Sequence, residues 1–425
     1  MGNFAARQII EYLRSGVSSR SLSAIFSYGR EAVCERVERE LQRVRQDGGA
    51  HSLVIKGNFG NGKTHFLNII AHKAEEMNFA VSFVPLSKET PFDKMDRLYR
   101  RAVSGLYLPG YSQPGLVPML ETLQADSEPA QELLDYAARN LHPKLEAVLK
   151  NYLYGGGDAY NQHVLAGDLA GDFIPNAQLK SINRLNFGKT LALTPFKIKE
   201  NTFDYFRFLS RLIRAAGYAG WAILFDEFEQ LMYLGVMGRS NAYLNAARFM
   251  SPSFGLTGTY TVFSATTSLW SELIMKPKKN DYDIVPQKLA AKERQHDIPT
   301  VREVFSSFLK ESLFLDTISA FDIRRMLQAV REQHALAYDW QPPDDIGPAT
   351  STLPENRPLR TMIRTVVEYL DLQYLYGGSR QVAAEMPEEL LPAGEAIEPG
   401  ADEYCGCEGE CALPGLTPNG PSEAG

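Results

Sequence analysis

The run from Gly57 to Thr64 constrains this chain more than any other segment of its sequence. It matches the pattern G-x-x-x-x-G-K-[ST] at every position. The apolar residues 53–55 precede it, and an amphipathic stretch that opens with His65 follows it. A strand, a glycine-rich loop and a helix in that order surround a phosphate group with backbone N–H donors and the positive end of the helix dipole. The sequence therefore predicts a nucleotide phosphate site.

The predicted phosphate loop supplies both backbone donors and two reactive side chains. The residues predicted to bind the nucleotide are Gly57, Asn58, Phe59, Gly60, Asn61, Gly62, Lys63, Thr64 and His65. Lys63 is expected to reach the β- and γ-phosphates and to assist catalysis, and the Thr64 hydroxyl is expected to ligate Mg²⁺. ATP and Mg²⁺ are the cofactors that this loop predicts. A similar run that ends in Lys189 and Thr190 is rejected, because Asn183 stands where its first glycine should be.

A second motif follows the apolar run Trp221 to Phe225, which has the composition of a strand buried on both faces. This strand ends in Asp226 and Glu227. Asp226 is predicted to hold the Mg²⁺, directly or through water, and Glu227 to orient and deprotonate the attacking water. The alternative is a strand that merely ends in solvated acidic residues. Glu229 extends the polar cluster, and the sequence gives it no role.

Composition limits the class of protein. The chain has 425 residues, of which 44% are hydrophobic and 22% charged, as in ordinary globular proteins. It contains no long apolar window and no signal-peptide pattern, so we expect no membrane contact and a cytoplasmic location. The net charge is −7, but residues 385–425 contain ten acidic residues and no Lys or Arg. The excess of negative charge therefore lies in this acidic tail. The remaining chain is mildly basic, which permits contact with nucleic acid without requiring it.

The alternation of predicted strands and helices indicates an α/β fold with a parallel sheet. P-loop proteins divide broadly into kinases for small molecules and ATPases that change shape, and the acidic pair on a distant strand favours the ATPase class. We therefore predict an AAA+-like P-loop NTPase core with a small all-helical C-terminal lid domain. One predicted helix of the insertion runs from Ala130 to Tyr154. The predicted divisions are N-terminal helices (1–50), the core (51–318) with a helical insertion (about 127–200), the lid domain (319–380) and a disordered acidic tail (381–425).

Candidate sensors of the nucleotide lie on two further elements. The predicted strand 259–267 ends in Thr266 and Thr267, and either hydroxyl would sense the γ-phosphate; we favour Thr267 as the catalytic one. The alternative is a strand-end hydroxyl that caps nearby backbone. In the lid domain, Arg360 is predicted to reach back to the nucleotide, against the alternative of a solvated helix face. Arg294 is a weaker candidate for an arginine finger supplied to a neighbouring subunit.

Several segments together resemble the BREX-system ATP-binding proteins BrxC and BrxD, bacterial AAA+-like ATPases of antiphage defence. The segments are 9–17, Gly29 to Glu31, Gly57 to Leu67, Gly217 to Glu229, and Arg360 with Arg364. The resemblance implies ATP binding and hydrolysis, self-association, and action on DNA, directly or through a helicase, a methyltransferase or other defence subunits. One departure concerns the lid, where a proline is expected directly before the arginine but Leu359 separates Pro358 from Arg360.

Three functions remain open at this stage. The chain would be a motor or loader on DNA, a nucleotide-gated switch or scaffold that assembles a defence complex with little turnover, or, with less support, a small-molecule kinase. Two further features have alternatives of their own. The basic stretch 276–294 would contact a phosphate backbone or form a solvated loop. Cys405, Cys407 and Cys411 in the tail would hold a soft metal, although free thiols are favoured.

Overall fold

The computed structural model describes residues 3–15, 26–156, 158–276, 280–346 and 359–377. The predicted acidic tail lies outside the described residues, and so do its three cysteines. Among the described helices, none combines the length and the apolar character that crossing a membrane requires.

The fold is α/β, and its described strands form one sheet in the order β3-β2-β4-β5-β1-β6. Their bounds are β1 (Ala50–Gly57), β2 (Phe79–Pro85), β3 (Leu106–Tyr107), β4 (Gly220–Asp226), β5 (Thr259–Thr266) and β6 (Leu313–Phe314). The sheet is mixed and mostly parallel, because the short strand β3 pairs antiparallel with β2 at one edge. The prediction of a purely parallel sheet was wrong at that edge: residues 86–105 connect the two strands, and β3 then pairs Leu106 with Ser82 and Tyr107 with Val81, so it runs opposite to β2.

The helices surround this sheet and extend beyond it. Their bounds are α1 (Phe4–Ser15), α2 (Glu31–Asp47), α3 (Lys63–Glu76), α4 (Met95–Ser104), α5 (Val117–Thr122), α6 (Glu128–Asn140), α7 (Pro143–Tyr154), α8 (Ala159–Gly167), α9 (Asn176–Phe187), α10 (Ile198–Ala215), α11 (Val236–Met250), α12 (Asp281–Ala291), α13 (Ile298–Lys310), α14 (Ala320–Tyr338) and α15 (Leu359–Tyr376).

Two apolar cores lie on opposite faces of the sheet. Alternate residues of β4 point to opposite sides, as the two-residue period of a strand requires. Ala222 and Leu224 join the core beneath α2 and α3. Trp221, Ile223 and Phe225 join the larger core with α10 and α11. Every residue of β4 is buried, which explains why its sequence is a continuous apolar run.

The segment between α5 and α10 is helical, but its helix boundaries differ from the predicted ones. The single helix predicted from Ala130 to Tyr154 is wrong, because α6 ends at Asn140 and α7 begins at Pro143. Proline disfavours helical backbone in the residue that precedes it, here His142, and it is well tolerated as the first residue of a helix. The break turns the chain so that α6 and α7 pack against each other.

A third apolar core joins the two ends of the described chain. Ile10 and Leu13 of α1 are buried together with Val330 of α14 and Val367 of α15. We call α1, α14 and α15 the three-helix unit. Phe26 also belongs to its core, just before the chain enters α2.

Candidate functional site

The sheet topology brings the two predicted motifs to one edge. In this sheet β5 lies between β1 and β4, and all three strands run parallel. Gly57 at the end of β1 pairs with Thr266 at the end of β5. The phosphate loop, the acidic pair and the threonines therefore follow neighbouring strands at their carboxyl ends, the edge at which open α/β sheets bind ligands.

The phosphate loop has the backbone that its glycines allow. Gly60 and Gly62 have φ values of +83° and +79°, a left-handed conformation that strains residues with a Cβ atom. Helix α3 begins directly after Gly62, at Lys63. The N-terminal N–H groups of α3 thus face the loop without partners from their own helix. This is the arrangement that binds a phosphate anion.

Lys63 occupies the interior of the loop. Only 7% of the residue is exposed, and its Nζ atom donates a hydrogen bond to the backbone oxygen of Asn58 over 3.2 Å. The ammonium group is therefore held by a neutral carbonyl. A phosphate oxygen at this position would be a stronger acceptor, because it carries charge.

A hydrogen bond joins the two motifs directly. The Thr64 hydroxyl donates to Oδ2 of Asp226 over 2.7 Å, across 162 residues of sequence. The other oxygen, Oδ1, accepts the backbone N–H of Glu227 over 3.0 Å. Burial raises the pKa of Asp226, while the hydrogen bond from Thr64 opposes that shift. The hydroxyl and the carboxylate thus lie side by side at the start of α3.

Glu227 leaves the end of β4 in a strained conformation. Its φ of +59° is uncommon for a residue with a side chain, and such strain concentrates at functional sites. Phe225 and Phe228 anchor the turn on either side, since each packs edge-on against Phe92 with ring centroids 4.9 Å apart. Burial and then the neighbouring carboxylates of Glu229 and Asp226 raise the pKa of Glu227 to about 7. A carboxylate with this pKa is suited to accept a proton near neutral pH.

Glu229 belongs to the site, although its sequence context predicted no role for it. Only 9% of the residue is exposed, and its Oε2 accepts the backbone N–H of Thr266 over 3.0 Å. The carboxylate therefore connects the turn after β4 to the end of β5. A short 3₁₀ turn at Phe228–Tyr233 places it there. The only signal in the sequence is its place two residues after Glu227, and a solvated loop residue would show the same spacing.

The two candidate threonines have different partners. Thr267 donates its hydroxyl proton to the side-chain oxygen of Asn58 over 2.9 Å. The Thr266 hydroxyl instead pairs with the hydroxyl of Ser268. Of the two, Thr267 is the one whose side chain contacts the phosphate loop.

The candidate arginines lie apart from these residues. Arg360 is exposed near the start of α15, and Arg364 is exposed one turn later. Among the described residues, no hydrogen bond or ion pair links Arg360 to the phosphate loop. Arg294 is already engaged within the chain, because it binds Asp297 over 2.7 Å and Asn241 over 3.0 Å.

The far side of the loop contacts the N-terminal segment and the chain after β6. The Nε2 atom of His65 lies 2.7 Å from the backbone oxygen of Phe26, and burial lowers the pKa of this ring. Asn61 donates its side-chain amide to the backbone oxygen of Leu315 over 3.0 Å. The side chains of His65 and Asn61 thus contact backbone oxygens of the protein itself.

Comparison with known families gives a match that covers the phosphate loop. Residues 3–155 match the family model of the BREX system ATP-binding protein BrxC/D. The match confirms the predicted resemblance to BrxC and BrxD for that segment, which contains the whole phosphate loop. The name of the BrxC/D family indicates ATP binding. Asp226, Glu227, Thr267 and Arg360 lie outside the matched residues. The chain matches no curated protein and no solved structure.

Proposed function

We propose that this chain binds ATP with Mg²⁺ at the phosphate loop and hydrolyses it, acting with DNA-handling partners in antiphage defence. The observation that carries the proposal is the 2.7 Å hydrogen bond from Thr64 to Asp226. It joins a phosphate-binding motif to an acidic pair from a distant part of the sequence. A loop that only bound phosphate would not need that pair.

The residues at this point fit a magnesium ion. Mg²⁺ prefers oxygen ligands and is usually held by one or two carboxylates together with phosphates and water. The Thr64 hydroxyl and the Asp226 carboxylate are such ligands, and their oxygens already lie adjacent. When bound, Mg²⁺ would neutralise charge that develops on the β- and γ-phosphates.

The chain's own groups would divide the remaining work. Lys63 would exchange its bond to the Asn58 carbonyl for the phosphate oxygens and neutralise their charge. Glu227 would orient a water molecule toward the γ-phosphate and take its proton, as its raised pKa permits. Thr267 would place its hydroxyl beside the γ-phosphate, since it already contacts the loop.

The strand order supports assignment of this sheet to an AAA+-like P-loop NTPase core. One strand, β5, separates the phosphate-loop strand from the acidic strand. Under the proposal, the γ-phosphate and the attacking water would lie between the phosphate loop and Glu227. Under this proposal the three-helix unit acts as the lid that responds to hydrolysis, the chain self-associates, and Arg360 and Arg294 act only in other conformational or assembly states.

A steady-state ATPase assay with and without duplex and single-stranded DNA tests the proposal. We expect turnover that Lys63→Ala and Glu227→Gln abolish and that DNA stimulates. Lys189→Ala is a matched control, because this exposed lysine lies in the similar but rejected run. ATP binding without turnover, accompanied by assembly, would favour the nucleotide-gated switch. Unchanged ATP binding in Lys63→Ala would contradict the phosphate site itself.

A further inference from the structure

Arg30 is a buried arginine beside the phosphate loop for which the proposed mechanism has no use. Only 8% of the residue is exposed. Its Nη2 atom donates to the backbone oxygen of Asn61 over 3.2 Å and to that of Asp316 over 2.7 Å. Both acceptors are backbone carbonyls on segments far from Arg30 in the sequence. An exposed arginine on a solvated helix face would not lose its hydration to make such contacts.

The first contact acts on the phosphate loop. Asn61 lies between Gly60 and Gly62, the two loop residues with left-handed backbone. A carbonyl fixed at this position limits rotation of the peptide that leads into Gly62. The carbonyl of Asn61 and the N–H of Gly62 belong to one peptide group. The position of this carbonyl therefore decides whether the loop N–H groups converge on a phosphate.

The second contact acts on the connection to the three-helix unit. Asp316 follows β6, and α14 begins only a few residues later at Ala320. Asn61 reinforces this tie, since its side-chain amide binds the adjacent Leu315 carbonyl over 3.0 Å. One guanidinium therefore holds the loop and the connection to α14 together.

The residues before Arg30 contact the three-helix unit itself. Phe26 is 3% exposed and lies in that unit's core. The ring of Tyr28 lies under the guanidinium of Arg325 on α14, 4.7 Å away. Gly29 packs so closely against Asp322 of α14 that an added Cβ would lie 3.0 Å from its carboxylate oxygen. The segment 26–30 thus bridges the phosphate loop and α14.

We propose that Arg30 is a positioning residue that holds the phosphate loop in its binding shape and transmits nucleotide occupancy to the start of α14. The proposal rests on the proposed function, because it requires that the loop bind a nucleotide. Arg30 itself need not touch the nucleotide. Because one Nη2 atom donates to both carbonyls, a change at Asn61 would reach Asp316 through one side chain.

The experiment compares Arg30→Met and Arg30→Lys with the control Arg36→Met. Methionine keeps the apolar stem but removes the donors, and lysine keeps the charge without the planar fork. Arg36 lies farther along helix α2 and pairs with Glu40. Affinity for a fluorescent ATP analogue is measured by titration. Hydrogen exchange is followed at residues 58–62 and 315–325, with and without a non-hydrolysable ATP analogue.

We expect Arg30→Met to weaken ATP binding by about 10- to 100-fold, the effect of losing hydrogen bonds from a charged donor. Arg30→Lys should recover part of this loss, and Arg36→Met should bind as the wild type does. In the wild type the analogue should slow exchange in both segments. In Arg30→Met any analogue bound at saturation should slow exchange in the loop but not at 315–325.

Two results would overturn the proposal. The first is wild-type affinity in Arg30→Met. The second is unchanged protection of 315–325 by the analogue in that variant. If Arg30→Met does not fold, Arg30→Lys takes its place, and wild-type affinity together with unchanged protection of 315–325 in Arg30→Lys would overturn the proposal. Lys63→Ala separates this proposal from the general one: if Lys63→Ala loses ATP binding while Arg30→Met behaves as the wild type, only the role of Arg30 fails.

Discussion

Thr267 and Asn58 connect the end of β5 to the phosphate loop through a hydrogen bond of 2.9 Å between their side chains. The backbone N–H of Thr267 also donates to the carbonyl of Gly57 over 3.1 Å. The threonine therefore follows any movement of the loop. Under the proposed function, this hydroxyl would exchange its Asn58 acceptor for a γ-phosphate oxygen.

Removal of this hydroxyl should lower turnover more than nucleotide binding. We expect Thr267→Val to reduce kcat by about 10- to 100-fold, the effect of losing one hydrogen bond to a charged group. Thr267→Ser should stay close to the wild type. Thr266→Val is the matched control, because the Thr266 hydroxyl pairs with Ser268. Equal kcat values in Thr267→Val and the wild type would assign this threonine to strand capping alone.

Magnesium dependence should reside in the Thr64 and Asp226 pair. ATP should raise the melting temperature of the wild type more with Mg²⁺ than with EDTA, because a ligand that binds only the folded state stabilises it. In Thr64→Ala and Asp226→Asn this difference should disappear, because the ATP-induced rise in melting temperature with Mg²⁺ should fall to the rise seen with EDTA. Thermal melts at fixed ATP concentration measure it. A full magnesium effect in both variants would show that the ion is held elsewhere.

The helical insertion contains an ion pair without solvent contact. Lys144 Nζ lies 2.7 Å from Asp168 Oδ1, and both side chains are fully buried. The hydroxyl of Tyr205 donates to the second carboxylate oxygen over 2.7 Å. Removal of one partner leaves an uncompensated buried charge, so Lys144→Met should lower the free energy of unfolding by about 3–5 kcal/mol.

Urea denaturation measures this change. The control pair is Arg139 and Asp135, which are 75% and 68% exposed; Arg139→Met should cost less than about 1 kcal/mol. The double variant Lys144→Met with Asp168→Asn should recover part of the loss, because no unpaired charge remains. A loss below 1 kcal/mol in Lys144→Met would mean that water enters the site.

The three-helix unit depends on Asp371 of α15. Arg14 of α1 donates to both of its carboxylate oxygens from Nε and Nη2. The His334 Nε2 atom of α14 lies 3.0 Å from its Oδ1. The His334 Nδ1 atom accepts from Trp340 over 2.9 Å, so the proton of neutral His334 is on Nε2 and is donated to Asp371. Burial alone would raise the pKa of Asp371, but the hydrogen bonds from His334 and Arg14 hold it below its ordinary value.

This pKa direction gives a pH dependence with a defined sign. A carboxylate whose pKa is lowered by folding stabilises the fold above its unfolded pKa of about 3.9, and the contribution disappears as the pH falls through the folded value. Asp371→Asn should therefore cost about 1–3 kcal/mol near pH 7 and progressively less below about pH 4. Hydrogen exchange of α14 and α15 at several pH values measures this. Glu11→Gln, at an exposed partner of Arg14, is the control, and a pH-independent loss in Asp371→Asn would contradict the role of its charge.

The phosphate loop and the acidic pair were readable from the sequence because each is a local pattern. The glycines at 60 and 62 are required by their own backbone, and the apolar run 221–225 marks a buried strand without reference to its neighbours. The break before Pro143 was also local, but the apolar periodicity on either side concealed it. The antiparallel strand β3 has only two residues, too few to show a period.

The sequence by itself determined that the chain has a phosphate loop, an acidic strand end and an α/β alternation, because local backbone and side-chain chemistry fix these features. Only the tertiary structure decided which side chains meet there. The strand order places Thr64 beside Asp226, and the turn after β4 brings Glu229 to Thr266. The contact of Arg30 with Asn61 and Asp316 joins three segments that are far apart in the chain. Such contacts depend on packing across the whole fold, and no spacing within a sequence encodes them directly.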